Sequence, residues 1–173
     1  VRFLEADKSA EWANSTGHFK VESGQPPFAF LRKEAGCRYA FPGENCAPSW
    51  LMQYLAGILP SKSERLLWIT QWGVWPSSEN WPLYRRLRAS FGDQGDLAEA
   101  PGHLFSKDEV DDLASFLQLA VLFGWEGYVL TDWDRAGIFF SHDEWFEIRA
   151  QDQGLIESAR ADFENAGYVE KSA

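Results

Sequence analysis

Five residues in one short stretch carry the side chains best suited to chemistry: Asp132, Asp134, His142, Asp143 and Glu144. Carboxylates beside a histidine form a donor set for a divalent metal, and equally the partners for general acid–base hydrolysis. Spacing decides whether they meet. With a two-residue loop at Arg135-Ala136, Trp133 pairs with Ile138, Asp132 with Phe139 and His142 with Val129. Three pair positions, or ~10 Å at strand rise, then separate Asp132 from His142. Strand alternation also puts Asp132 on the face of Asp143 and not on that of His142. A longer loop changes this register. Aspartate is favoured in turns for local reasons, so a solvated acidic turn is the preferred account of the stretch.

A second group is Trp72-Gly73-Val74-Trp75 with Trp81. A strand-end loop carrying Trp72, Trp75 and Trp81 offers rings that stack on a sugar, a base or a cation. The competing account is a hydrophobic plug beneath the next helix, because tryptophan is ordinarily well buried.

Other chemical signatures are missing. There is no G-x-S-x-G elbow, P-loop, G-x-G-x-x-G or H-E-x-x-H. Cys37 and Cys46 are the only cysteines, with no CxxC, and the histidines are His18, His103 and His142. That set lacks zinc-ligand spacing, so neither a metal nor a cofactor is expected. Whether the two cysteines are bridged is left open by the sequence. These gaps remove the positive argument for an enzyme.

The elements that position these groups follow from periodicity. Residues 1–27 are weakly patterned and read as a lead-in with room for one strand. Phe28 to Leu31 and Cys37 to Phe41 read as short strands. A helix follows from about Pro48 to Leu59, its buried face at Leu51, Tyr54, Leu55 and Ile58. Leu66 to Trp72 reads as a buried strand, and Glu79 to Phe91 as a helix with Ser78 as N-cap. Gly92 to Phe105 reads as a loop. Ser106-Lys107-Asp108-Glu109 matches a capping box, opening a central helix whose Leu117 and Val121 should be almost fully buried. Tyr128 to Trp133, Ile138 to Ser141 and Trp145 to Arg149 read as three strands in hairpins, and Gln153 to Asn165 as a final helix. Residues 1–173 thus form one domain of α+β class, with a mainly antiparallel sheet packed against about four helices.

Composition narrows the function classes. The formal net charge is −10, and aromatics make up 16% of the chain, with 9 tryptophans and 13 phenylalanines. Nucleic acid is disfavoured as a ligand, since its binding is mostly phosphate neutralisation by Lys and Arg. Anionic membrane surfaces are disfavoured for the same reason. No apolar run approaches the ~20 residues of a membrane span, and no leader-like apolar segment is visible, so the cytoplasm is the default compartment. In composition only, the chain resembles the acidic, tryptophan-rich immunity proteins with which bacteria mask basic toxin enzymes. The expected function is a non-enzymatic module that binds a basic protein partner, with oligomeric state left open. The alternatives are a hydrolase, with or without a metal, using the acidic hairpin from Asp132 to Glu144, and a small-ligand binder using the Trp72–Trp81 loop.

Overall fold

The computed structural model describes residues 1–17, 19–21, 34–42, 49–73, 81–133 and 135–171. Within them the chain runs β1 (Arg2–Leu4), α1 (Ala6–Ser15), β2 (Ala35–Ala40), α2 (Ser49–Ile58), β3 (Glu64–Gln71), α3 (Trp81–Ser90), β4 (Gly102–Ser106), α4 (Val110–Leu122), β5 (Glu126–Thr131), β6 (Ala136–Ser141), β7 (Trp145–Ala150) and α5 (Gln153–Asn165). The strands form one antiparallel sheet in the order β1-β4-β3-β5-β6-β7-β2. This is an α+β single-domain fold, as the sequence implied. The candidate strand Phe28 to Leu31, the N-cap Ser78 and Cys46 lie outside the described residues.

The sheet is covered on both faces. On one, Leu67, Ile69, Val129, Ile138, Phe140, Phe146 and Ile148 pack under buried residues of α2, α3, α4 and α5. On the other, Leu66, Trp68, Leu104, Tyr128, Leu130 and Phe139 pack against Ala13 of α1 and against Phe19 and Val21. Strands β3 and β5 are therefore buried on both sides, which is why they read as continuous apolar runs instead of alternating ones.

Four expectations are corrected. Helix α1 occupies part of the weakly patterned lead-in. It buries only Ser9 and Ala13, so it shows no apolar stripe. Tertiary contacts hold it: the Trp12 indole N–H donates to Glu64 Oε2 at 2.9 Å, and a side-chain carbon on Gly102 would lie 2.1 Å from Ser9 Oγ, so α1 lies directly on the backbone of β4. Strand β4 falls within the expected loop from Gly92 to Phe105. It is short, and its partners β1 and β3 are distant in sequence, so nothing local announces it.

Ser106 is not a helix cap. It ends β4 opposite Glu64, and Lys107 N–H donates to Ser63 O at 2.7 Å. The ladder therefore holds the strand as far as this point, and α4 starts only after a turn, at Val110 with Glu109 as N-cap. Half of the capping box survives, with Ser106 N–H donating to Glu109 Oε2 at 2.7 Å. Within α4, Leu113, Phe116, Leu117 and Ala120 are fully buried. Val121, expected to be almost fully buried, is only half-buried, because the buried face of this helix is one stripe and not its whole circumference.

The β2 edge of the sheet is closed off. Tyr39 bridges to Glu170, Lys171 N–H donates to Arg38 O at 2.8 Å, and Arg160 Nη2 donates to Gly36 O at 2.8 Å. Backbone groups that would otherwise recruit another strand are thus used within the chain.

Candidate functional site

The β5–β6 hairpin sets the fate of the acidic stretch. Val129 pairs with Ile138 and Leu130 with Gly137. Trp133 was expected opposite Ile138, so the register lies four positions from the expected one, with a correspondingly longer loop. The cause is a contact outside the hairpin. Asp132 accepts hydrogen bonds from the N–H groups of Lys62 (2.7 Å), Ser63 (2.8 Å) and Glu64 (3.1 Å) and from the Ser63 hydroxyl (2.7 Å). Thr131 Oγ1 donates to Pro60 O and accepts from Trp133 N–H. These bonds draw the chain toward the start of β3 and end the ladder early. Burial opposes ionisation of Asp132, but the Ser63 hydroxyl and the three N–H groups outweigh it and hold the carboxyl below its ordinary range.

His142 lies at the other end of the hairpin, beside Glu126. Its Nδ1 is 3.1 Å from Glu126 Oε2 and its Nε2 is 3.5 Å from Asp143 Oδ1. Six residues of β5, at ~3.3 Å each, put Asp132 ~20 Å from this group. Asp143 and Glu144 belong to the β6–β7 turn, where Asp143 N–H donates to Ser141 Oγ at 3.1 Å and Glu144 adopts φ 63°. Asp134 lies outside the described residues. The structure therefore brings together His142, Asp143 and the unforeseen Glu126, and separates Asp132 from them. Among the described residues, no group of three or more His, Cys, Asp or Glu side chains is arranged to hold a metal ion.

Trp72 and Trp81 come together in an aromatic box. Their rings are 6.0 Å apart, and Trp125 lies 4.7 Å from Trp72 and 6.2 Å from Trp81. Tyr84 closes the box 4.8 Å from Trp125. Both tryptophans are half-buried against the main core; Trp75 lies outside the described residues. At the base of the box is His103, fully buried. Its Nδ1 faces Pro101 O at 3.1 Å and its Nε2 faces the Tyr84 hydroxyl at 3.1 Å. A carbonyl needs a donor, so the proton sits on Nδ1, and Nε2 accepts from Tyr84. Burial, helped by the nearby positive charge of Arg88, lowers the His103 pKa to about 3. Burial likewise pushes the Tyr84 phenol above its usual range. This box is neutral, and within it the indole N–H groups of Trp81 and Trp125 are shut off from solvent without an acceptor among the described residues.

Cys37 is a free, buried thiol. Burial, with Glu170 acting in the same direction, pushes it up to about 11, which leaves it a poor nucleophile near neutral pH.

The sequence reading missed a different aromatic group. Trp50, in the first turn of α2, is 45% exposed. It stacks on Tyr54 at 5.4 Å with an interplanar angle of 26°, and Tyr168 lies 6.2 Å from it. Phe163 of α5 lies buried beneath, 5.0 Å from Tyr54 and 5.3 Å from Tyr168. The Tyr54 hydroxyl donates to Asp162 at 2.7 Å; burial and then that carboxylate push its phenol above the usual range. The signal was present in the sequence: Trp50 precedes Tyr54 by four residues, one helical turn, and lies off the stripe of buried positions.

No protein-family model, curated protein or solved structure matches this chain.

Proposed function

We propose that this protein is a non-enzymatic binding module whose partner is a basic protein. The observation that carries this is the Trp50–Tyr54–Tyr168 shelf, an exposed tryptophan held rigid by stacking on its neighbours. Rigid aromatic side chains are the usual anchors of protein interfaces, because they bury much area at little entropic cost. Helix α5, which backs the shelf, presents Glu157, Asp162 and Glu164 against the single Arg160. The chain as a whole carries −10. Such a field steers a basic partner toward the surface and repels nucleic acid and anionic membranes. Among the described residues no helix is long and apolar enough to cross a membrane. A buried free thiol at Cys37 suits a reducing compartment, and the cytoplasm is the location we assign.

The hydrolase alternative now rests on His142 with Glu126 and Asp143, since Asp132 is committed to the loop before β3. The small-ligand alternative rests on Trp72 and Trp81, whose rings already meet Trp125 edge-to-face. To test the binding reading, the partner is captured with the intact protein and its kinetics are followed across a salt series. An association rate that falls steeply with salt is expected. An acidic partner with a salt-indifferent association rate would overturn the reading.

A further inference from the structure

Trp50 and Trp133 are exposed to the same degree, 45% and 46%, and differ in what lies on them. Trp133 carries a cation of its own chain, with Lys62 Nζ 4.4 Å from the ring centroid. The half-buried Trp145 carries Arg38, 4.2 Å from its centroid. Over Trp50 no cation lies among the described residues. Its ring neighbours are Tyr54, Phe163 and Tyr168. The indole is thus a π surface partly open to solvent, with no positive charge of its own chain upon it.

Negative charge lies beside it. The Tyr54 hydroxyl donates to Asp162 Oδ2, which fixes that carboxylate at the rim of the Trp50–Tyr54 stack. The other oxygen of Asp162 takes no hydrogen bond from the described residues, and no cation among them pairs with it. Arg160, the one cation of α5, is turned to Glu170 instead, with its Nε 3.0 Å from Glu170 Oε2. Glu157, Asp162 and Glu164 of the same helix are all exposed and form no ion pair among the described residues. A rigid aromatic ring beside an unpaired carboxylate attracts a cationic side chain twice over, through the ring quadrupole and through the charge.

We propose that Trp50 receives an arginine side chain of the partner, its guanidinium lying on the indole within the field of Asp162. This rests on the reading of the shelf as a binding surface and goes beyond it by naming the group received. Arginine fits better than lysine. Its head is planar, delocalised and weakly hydrated, so it stacks on an aromatic ring, whereas the ammonium of lysine is a compact and strongly hydrated charge. An apolar anchor would use the ring but not the carboxylate, and would gain nothing from the −10 of the chain.

The test is fluorescence anisotropy of dye-labelled hexa-arginine and hexalysine amides titrated with the intact protein at one salt concentration. The two peptides carry equal charge, so attraction to the acidic chain at large cancels in their ratio. Saturable binding is expected, with hexa-arginine preferred ~2–5-fold, the scale of one exposed cation–π contact. Trp50→Leu, which keeps apolar bulk but no π face, should abolish the preference. Trp133→Ala, at the ring already occupied by Lys62, should keep it. Asp162→Asn, which leaves an acceptor for Tyr54, should weaken both peptides. No saturable binding, equal affinities in the parent, a preference that survives in folded Trp50→Leu, or indifference to Asp162→Asn would overturn the proposal. If Trp50→Leu does not fold, the comparison in the parent and Asp162→Asn decide. A captured partner that leaves Trp50→Ala faster, while the parent binds both peptides equally, overturns the guanidinium and keeps the binding reading. A partner indifferent to Trp50→Ala overturns both.

Discussion

Acidification should destabilise the protein through His103, at a pH well above that at which most carboxylates titrate. In the folded state the imidazole is fully buried and holds its single proton on Nδ1, facing Pro101 O, while Nε2 accepts from Tyr84. A second proton would have to displace the Tyr84 hydrogen bond and sit near Arg88 in a box of aromatic rings. The pKa accordingly falls to about 3, against 6.5 for the ordinary side chain. A lowered folded pKa means that the unfolded chain binds the proton first. Stability is therefore complete above pH ~6.5 and is lost progressively as the pH falls toward the folded value. At pH 5 the loss is about 2 kcal/mol, from the ~1.4 kcal/mol that accompanies each pH unit below the unfolded pKa. The assay is urea denaturation at pH 7.5 and pH 5, with His103→Gln as reference. Glutamine keeps a donor and an acceptor but does not titrate, and contributions from His18, His142 and the carboxylates cancel in the difference. The parent should lose about 2 kcal/mol more than the variant between the two pH values. Equal losses would refute the buried neutral imidazole and, with it, the closed aromatic box in which Trp72 and Trp81 sit.

Two further predictions concern the scaffold. Leu117 is fully buried in α4, and Leu117→Ala should cost ~2–5 kcal/mol in chemical denaturation, since neighbours only partly refill such a cavity; an unchanged midpoint would show that α4 is not central. Asp132→Asn should cost ~1–3 kcal/mol at pH 7, because the carboxylate serves the N–H groups of residues 62–64. As its folded pKa is depressed, that cost should shrink as the pH falls through the carboxylate range; a cost independent of pH would mean that the ionised form is not what holds the loop.

What was legible in the sequence was whatever local pattern determines. Helix α5 has the span that Leu155, Ile156, Ala159 and Phe163 implied, and β5, β6 and β7 form the expected succession of hairpins. What failed depended on contacts distant in sequence. Strand β4 exists because β1 and β3 flank it, and α1 because Ser9 and Trp12 meet Gly102 and Glu64. The candidate site failed for the same reason. The register that would have set Asp132 near His142 assumed a minimal loop, whereas Asp132 is held by backbone groups some 70 positions earlier in the chain. Trp72 and Trp81 were singled out for the density of tryptophan around them, yet both are turned into the aromatic box. Trp50, alone on its helix, is more exposed than either.

The proposed anchoring of a basic protein partner by Trp50 is read in the dissociation rate of that partner. With the captured partner immobilised, the parent and Trp50→Ala are compared by surface plasmon resonance at one salt concentration. A matched thermal midpoint confirms that the variant is folded. Truncating an interface anchor costs ~2 kcal/mol or more, so dissociation should accelerate ~30-fold with little change in the association rate. An unaltered dissociation rate in the folded variant would contradict the claim and remove the aromatic shelf from the interface.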